Sequence, residues 1–142
     1  MFGIFESKEK KFIKSHLRHL VRLATSDGVF HHEEDKFIRR VGLENGLSDS
    51  EVQSIIDNPT AVSIAIPENN DERFDQIFDL VNLMIKDGEV NDAETEFCME
   101  IANRLGFRKV IVGVLVAKIE RGLALGFDKA QIKEEAQPFI NY

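Results

Sequence analysis

Apolar residues recur every third or fourth position along almost the whole chain, and this spacing predicts an all-helical fold. A β-sheet would instead show alternation with a period of two. We expect about seven helices and no sheet. The first three predicted helices cover about 6–26, a segment ended by Gly42 or Gly46, and 48–56. The last three run from about Asp92 to Gly106, over about 109–121, and from Asp128 to Pro138. The fourth helix carries on one face the apolar residues Phe74, Ile77, Phe78, Val81, Met84 and Ile85.

Two segments depart from the amphipathic pattern. The stretch from Thr60 to Asn70 is the least regular part, and a lone strand would have nothing to pair with, so we interpret it as an apolar connection. The helix over about 109–121 is apolar and β-branched nearly all round, which favours a central buried position.

Length and composition bound the class of protein. The 142 residues suit a single domain, 1–142, and 43% hydrophobic with 30% charged residues is typical of a globular chain. No apolar stretch approaches the roughly 20 residues that span a bilayer. Charged residues follow directly after the apolar residues at the beginning of the sequence, a pattern that predicts no signal peptide. We therefore expect a cytoplasmic location. The lone Cys98 allows no intramolecular disulfide, and we expect it to be a buried small hydrophobe.

Charge is unevenly distributed. The net charge of −7 argues against nucleic acid as a partner. Residues 1–26 nevertheless carry six basic and two acidic residues, whereas the remainder carries twelve basic and twenty-three acidic ones. The basic residues 8–22 could dock on the acidic body, make a peripheral contact with an anionic membrane, or simply be solvated. We favour solvation. His16 and His19 lie within this stretch and are expected at the surface.

The chain carries an internal repeat at an offset of 60 residues. Over 20–46 and 80–106, eight positions are identical, among them Asp27-Gly28 with Asp87-Gly88 and Glu34 with Glu94. The repeated unit is helix, Asp-Gly turn, helix, over about 8–56 and 71–122. Two such helix pairs can pack face to face around a pseudo-two-fold axis, because each alone would expose its apolar stripe.

Asp-Gly followed by a Glu also resembles the second half of an EF-hand calcium loop. An EF-hand needs oxygen ligands at loop positions 1 and 3. Those positions hold Leu23 and Thr25 in the first unit and Leu83 and Ile85 in the second. Three of the four side chains have no oxygen, so an ordinary EF-hand is excluded.

The two units, Leu23 to Phe30 through Glu34 and Met84 to Val90 through Glu94, resemble those of the TerB-like proteins. That family takes its name from tellurite-resistance protein B, and a related domain begins a membrane-tethered DnaJ-like co-chaperone. The resemblance covers roughly residues 8–125. It implies an all-helical, non-enzymatic module in a stress or metal-response assembly with an unidentified protein partner. It also implies that acidic residues bind a divalent cation, and by motif these are Asp27, Glu34, Asp87 and Glu94.

The four carboxylates have two interpretations. Oxygen ligands favour calcium, magnesium or manganese over zinc, although His31 or His32 could admit a softer metal. Alternatively, Glu94 completes a capping box with Asn91, Glu34 does the same with His31, and the glycines supply a positive φ at helix ends. The chain would then be a metal-free protein-interaction domain. A third hypothesis, a metallohydrolase, names no distinct nucleophile or base, so no catalytic residue is assigned.

Overall fold

The computed structural model describes residues 6–26, 28, 30–86 and 92–140, and this part of the chain is all-helical. Its helices are α1 (Lys8–Ala24), α2 (His32–Glu44), α3 (Asp49–Asp57), α4 (Asn70–Lys86), α5 (Asp92–Arg104), α6 (Lys109–Ala124) and α7 (Lys129–Ile140), with a 3-10 helix at Pro59–Ala61. The prediction of an all-helical fold with about seven helices is confirmed. Of these helices, none is both long and apolar enough to cross a membrane.

The chain divides into two compact units, Met1–Ile66 and Pro67–Tyr142. In the first unit, α1 packs on α2, α3 and the 3-10 helix, and α2 packs on α3. The three α-helices meet at Gly42, where a Cβ atom would lie 2.5 Å from Val52 Cγ2 and 3.0 Å from Leu17 Cδ2. Gly42 therefore allows close packing inside α2, and the helix ends before Gly46, which has a φ of +90°.

In the second unit, α6 contacts α4, α5 and α7, and α4 also contacts α5 and α7. The buried core of this unit includes Phe74, Ile77, Leu115 and Ile119. Ion pairs join α4 to α7, because Asp75 Oδ1 lies 3.0 Å from Lys133 Nζ and 3.2 Å from Lys129 Nζ. Helix α6 is thus central within this unit, as predicted, but one of its faces is exposed, as the next subsection describes.

Local capping explains several helix boundaries. The Ser48 Oγ accepts the Glu51 N–H at 3.1 Å, and Glu51 Oε1 accepts the Ser48 N–H at 3.0 Å, which completes the predicted capping box of α3. At α7, Asp128 Oδ1 accepts the Gln131 N–H at 2.8 Å, which confirms the predicted start. The segment between the 3-10 helix and α4 contains no strand, as expected for Thr60 to Asn70.

Two sequence predictions about single residues are wrong. Pro138 does not end α7, which continues to Ile140; the burial of Ile140 and Ala136 offsets the hydrogen bond that the proline cannot donate. His16 and His19 are not at the surface, since each is only 2% exposed. The basic neighbours suggested exposure, but α1 is buried at most positions from Ser15 to Ala24.

The helix bounds bear on the repeat without deciding it. Helices α1 and α4 each have 17 residues, and α2 and α5 each have 13. The single domain over 1–142, the repeat units 8–56 and 71–122, and the pseudo-two-fold axis stay predictions from the sequence.

Candidate functional site

The first Asp-Gly turn begins where α1 ends, and side-chain hydroxyls complete that end. Thr25 Oγ1 donates to the Val21 carbonyl at 2.8 Å, and Ser26 Oγ donates to the Leu23 carbonyl at 2.8 Å. These bonds engage carbonyls of the last helical turn, where the backbone runs out of intrahelical donors. Gly28 then donates its N–H to the Thr25 carbonyl at 2.9 Å with a φ of +84°, a conformation that favours glycine.

Glu34 lies at the third position of the helix that follows this turn. His31 is the N-cap residue of α2, and its backbone N–H donates to Glu34 Oε1 at 3.1 Å. The positive end of the helix dipole also favours a carboxylate in the first turn, where Glu33 and Asp35 flank Glu34. The structure therefore places Glu34 in a helix cap, as the second of the two interpretations of the four carboxylates predicts for this residue.

Glu94 holds the same position in α5, as the third residue of a helix that begins at Asp92. Glu34 and Glu94 are 4% and 7% exposed, and within the described residues they are the two acidic side chains that are buried. Burial of a carboxylate is costly unless hydrogen bonds or positive charge compensate it. The two glutamates thus differ in environment from the solvated acidic residues described elsewhere in the chain.

The four predicted metal ligands are not all described. Asp27 and Asp87 lie outside the described residues, together with Gly88 and Asn91 of the second turn. Glu34 belongs to the first compact unit and Glu94 to the second. Within residues 6–26, 28, 30–86 and 92–140, no three His, Cys, Asp or Glu side chains form a group that could hold a metal ion. The four-carboxylate site stays a prediction.

A constellation of charges that the sequence did not predict joins α1 to α3. Lys10 Nζ lies 3.0 Å and Lys14 Nζ 3.5 Å from Glu51 Oε2, and Lys14 also pairs with Glu6. Because Glu51 Oε1 accepts the Ser48 N–H, both carboxylate oxygens are engaged. The hydrogen bond from Ser48, followed by the pairing with Lys10, lowers the pKa of the Glu51 carboxyl to about 2. Lys10 and Lys14 therefore pair within the first unit, whereas Lys8, Lys11 and Arg22 are exposed, as the favoured solvation of residues 8–22 predicts.

An apolar surface on α6 was also missed. Val110 is 76% exposed and Val114, one turn later, is 36% exposed. Gly113 lies between them with nothing within 4 Å of where its Cβ would stand, and the exposed Ala117 continues the stripe. We call Val110, Gly113, Val114 and Ala117 the outer face of α6. The nearly all-round hydrophobicity of this helix, which predicts a central buried position, is also the signal that the sequence offers for this exposed face.

Cys98 is fully buried in α5, as expected. Burial, with a smaller contribution from the charge of Glu120, raises the pKa of its thiol to about 12. The reactive thiolate is therefore disfavoured at neutral pH.

Comparisons with known proteins do not assign the chain to a family. No protein-family model matches it, and neither curated proteins nor solved structures gave a match. The TerB-like resemblance and what it implies remain predictions from the two Asp-Gly units.

Proposed function

We propose that the chain is a non-enzymatic helical module that binds another protein through the outer face of α6, while its acidic turns serve as helix caps. The exposure of Val110 and Val114, side by side on a helix whose opposite face is buried, carries this proposal. By the TerB-like resemblance, the partner would belong to a stress or metal-response assembly.

The chemistry of the outer face supports a protein partner. From Val110 to Ala117 the helix carries no charged side chain. A partner that covers this face therefore does not have to remove water from a charged group. A partner that fully buried a valine would gain about 1.5–3 kcal/mol. The absence of a side chain at Gly113 also allows a partner to approach the helix backbone closely. Contiguous exposed apolar residues of this kind mark interaction surfaces more often than isolated ones do.

The test compares proteins retained from an extract of the source cells by immobilised wild type and by Val110→Asp/Val114→Asp. We expect partners of the wild type to be lost by this variant. Leu125→Asp is the matched control, because Leu125 is an exposed apolar residue of the same unit outside the outer face. Retention should be equal in calcium and in chelator. Equal retention by the wild type and the double variant would contradict the proposal.

A second candidate, binding of calcium, magnesium or manganese through the acidic turns, is favoured by the burial of Glu34 and Glu94. A cation would offset the negative charge of these two buried carboxylates. Isothermal titration of each metal into chelator-treated protein tests it. Heat that is lost in both Glu34→Gln and Glu94→Gln, but not in the exposed-site control Glu135→Gln, would support cation binding. No heat in the wild type would exclude it for those ions.

A further inference from the structure

A groove lies between α5 and α6 on the second unit, separate in its lining residues from the outer face of α6. Glu96, Met99, Glu100, Asn103 and Val112 line it, and its volume is about 310 Å³. We call it the α5–α6 groove. Its volume is at the lower end of the range of about 300–1,000 Å³ for ligand pockets. It suits one or two side chains of a partner better than a large cofactor.

The α5 residues of this groove follow a helical stripe. Positions 96, 99, 100 and 103 have the spacing i, i+3, i+4 and i+7, so they lie along one face of α5 over about 10 Å. Met99, half-buried, lies in sequence between the two exposed glutamates of the stripe. Methionine adapts its shape to apolar partners and is enriched at interfaces. The groove thus has an apolar centre with acidic residues beside it.

The charges in and around the groove select the partner. Glu96 and Glu100 are like charges four residues apart, an arrangement that disfavours an isolated helix. Arg104 Nη2 offsets Glu100 at 2.9 Å, whereas no described side chain pairs with Glu96. The second unit has fifteen acidic and nine basic residues and so carries most of the net charge of −7. A cationic partner is therefore attracted both to the unit and to the groove.

We propose that the α5–α6 groove receives a basic amphipathic helix of a partner protein. Apolar side chains of that helix, spaced three and four residues apart, pack on the half-buried Met99, since Val112 is itself fully buried. Its lysine or arginine side chains pair with Glu96 and Glu100. This inference rests on the proposed function of the chain as a protein-binding module, and it adds the chemical class of the partner.

The experiment measures fluorescence anisotropy of two labelled helical peptides of about 18 residues with the full chain. One peptide combines leucine at i, i+3, i+4 and i+7 with lysine elsewhere, and the other replaces every lysine with glutamate. At physiological salt we expect the lysine peptide to bind at least about tenfold more tightly than the glutamate peptide. Binding of both peptides equally, or of neither, would overturn the proposal.

Variants then locate the binding site. Glu96→Lys/Glu100→Lys should weaken binding of the lysine peptide about tenfold, and Met99→Ala should weaken it several-fold. Glu134→Lys/Glu135→Lys is the matched control, since it makes the same change in net charge at two exposed residues of α7. Circular dichroism checks that each variant is folded. Equal weakening by the two double variants, or no effect of Met99→Ala, would also overturn the proposal.

The result is separable from that of the proposed function. If the lysine peptide does not bind but cellular partners depend on Val110 and Val114, only the class of partner assigned to the groove fails. If substitution of those valines does not change the retention of partners, while the groove variants weaken peptide binding as expected, the outer face is not the binding surface and the proposal for the groove stands.

Discussion

At the scale of single residues, Glu51 shows how one carboxylate can have two structural roles. One of its oxygens caps α3 through the Ser48 N–H, and the other pairs with Lys10 and Lys14 of α1. Both interactions favour the ionised form, so the pKa of this carboxyl is lowered to about 2. The sequence revealed the cap, because its residues are three apart. The ion pairs join residues about forty positions apart in the sequence, so only the tertiary structure shows them.

Glu51 should make stability depend on acidity in a defined direction. Because its pKa is lower in the folded chain than its ordinary value of 4.5, its contribution is complete above about pH 4.5 and is lost as the pH falls towards 2. Glutamine can still accept the Ser48 N–H, so we expect Glu51→Gln to lower the free energy of unfolding near pH 7 by about 0.2–1 kcal/mol through the lost ion pairs, and by progressively less below pH 4.5. Urea unfolding at several pH values measures this difference. Glu135→Gln, at an exposed position, should show no such trend; parallel curves for wild type and Glu51→Gln would contradict the prediction.

Gly28 is the second residue whose local conformation leads to a prediction. Nothing lies within 4 Å of its would-be Cβ, so a substitution there meets strain from the φ of +84° and no steric clash. Gly28→Ala should therefore lower the free energy of unfolding by about 1–2 kcal/mol, and Gly28→Asn by less, because asparagine tolerates the left-handed region. Chemical denaturation midpoints test the order. A midpoint for Gly28→Ala equal to or above that of the wild type would show that the turn does not require glycine.

At the scale of the helices, two glycines of α6 should respond oppositely to the same substitution. At Gly122 a Cβ would lie 2.5 Å from Ile132 Cγ1 of α7, whereas at Gly113 it would meet open space. We expect Gly113→Ala to raise the free energy of unfolding by up to about 1 kcal/mol through helix propensity, and Gly122→Ala to lower it by about 1–3 kcal/mol through overpacking. Thermal and urea unfolding compare them.

The pair serves as its own control, since both changes add one methyl group to the same helix. Adding Ile132→Ala to Gly122→Ala should cost less than the sum of the two single changes, because the methyl group then fills part of the space left by isoleucine. Additive costs, or equal effects of the two glycine substitutions, would contradict the close packing of α6 on α7.

The helical fold class and several helix starts were predictable from the sequence, but the exposed face of α6 and the end of α7 were not. Periodicity and caps act locally, so Ser48 with Glu51 and Asp128 with Gln131 marked helix starts correctly. Whether a β-branched helix is covered on every side depends on what packs against it, which no local pattern encodes. Of the candidate site, the sequence left Glu34 as either a metal ligand or a cap residue, and the structure shows the hydrogen bond of the cap, from the His31 N–H.

At the scale of the whole molecule, the uneven charge distribution allowed three interpretations of the basic residues 8–22: docking on the acidic body, contact with an anionic membrane, or solvation. The structure bears on one of them, because Lys10 and Lys14 pair with Glu51 inside the first compact unit. Each lysine held near an anionic membrane contributes about 1 kcal/mol to binding. Because two of these lysines are paired within the chain, they contribute less to membrane binding. The net charge of −7 also disfavours a stable contact with an anionic membrane.

We expect the wild-type chain not to sediment with vesicles containing anionic phosphatidylserine at physiological salt. Glu51→Gln should increase the bound fraction at low salt, because it releases Lys10 and lowers the negative charge by one, whereas Lys14 keeps its ion pair with Glu6. This gain should disappear as salt rises, since screening weakens exposed charges beyond a Debye length of about 8 Å at physiological ionic strength. Sedimentation with anionic and with neutral vesicles at both salt concentrations measures the effect.

Glu44→Gln is the matched control for this prediction. It removes the same charge from an exposed residue of α2, so it changes the net charge of the chain without touching the lysines of α1. If Glu51→Gln increases the vesicle-bound fraction and Glu44→Gln does not, the internal ion pairs prevent the basic residues from contacting the vesicle surface. An equal gain in both variants would assign the effect to net charge alone. Binding of the wild type to anionic but not neutral vesicles at physiological salt would contradict the prediction and establish the peripheral membrane contact in its place.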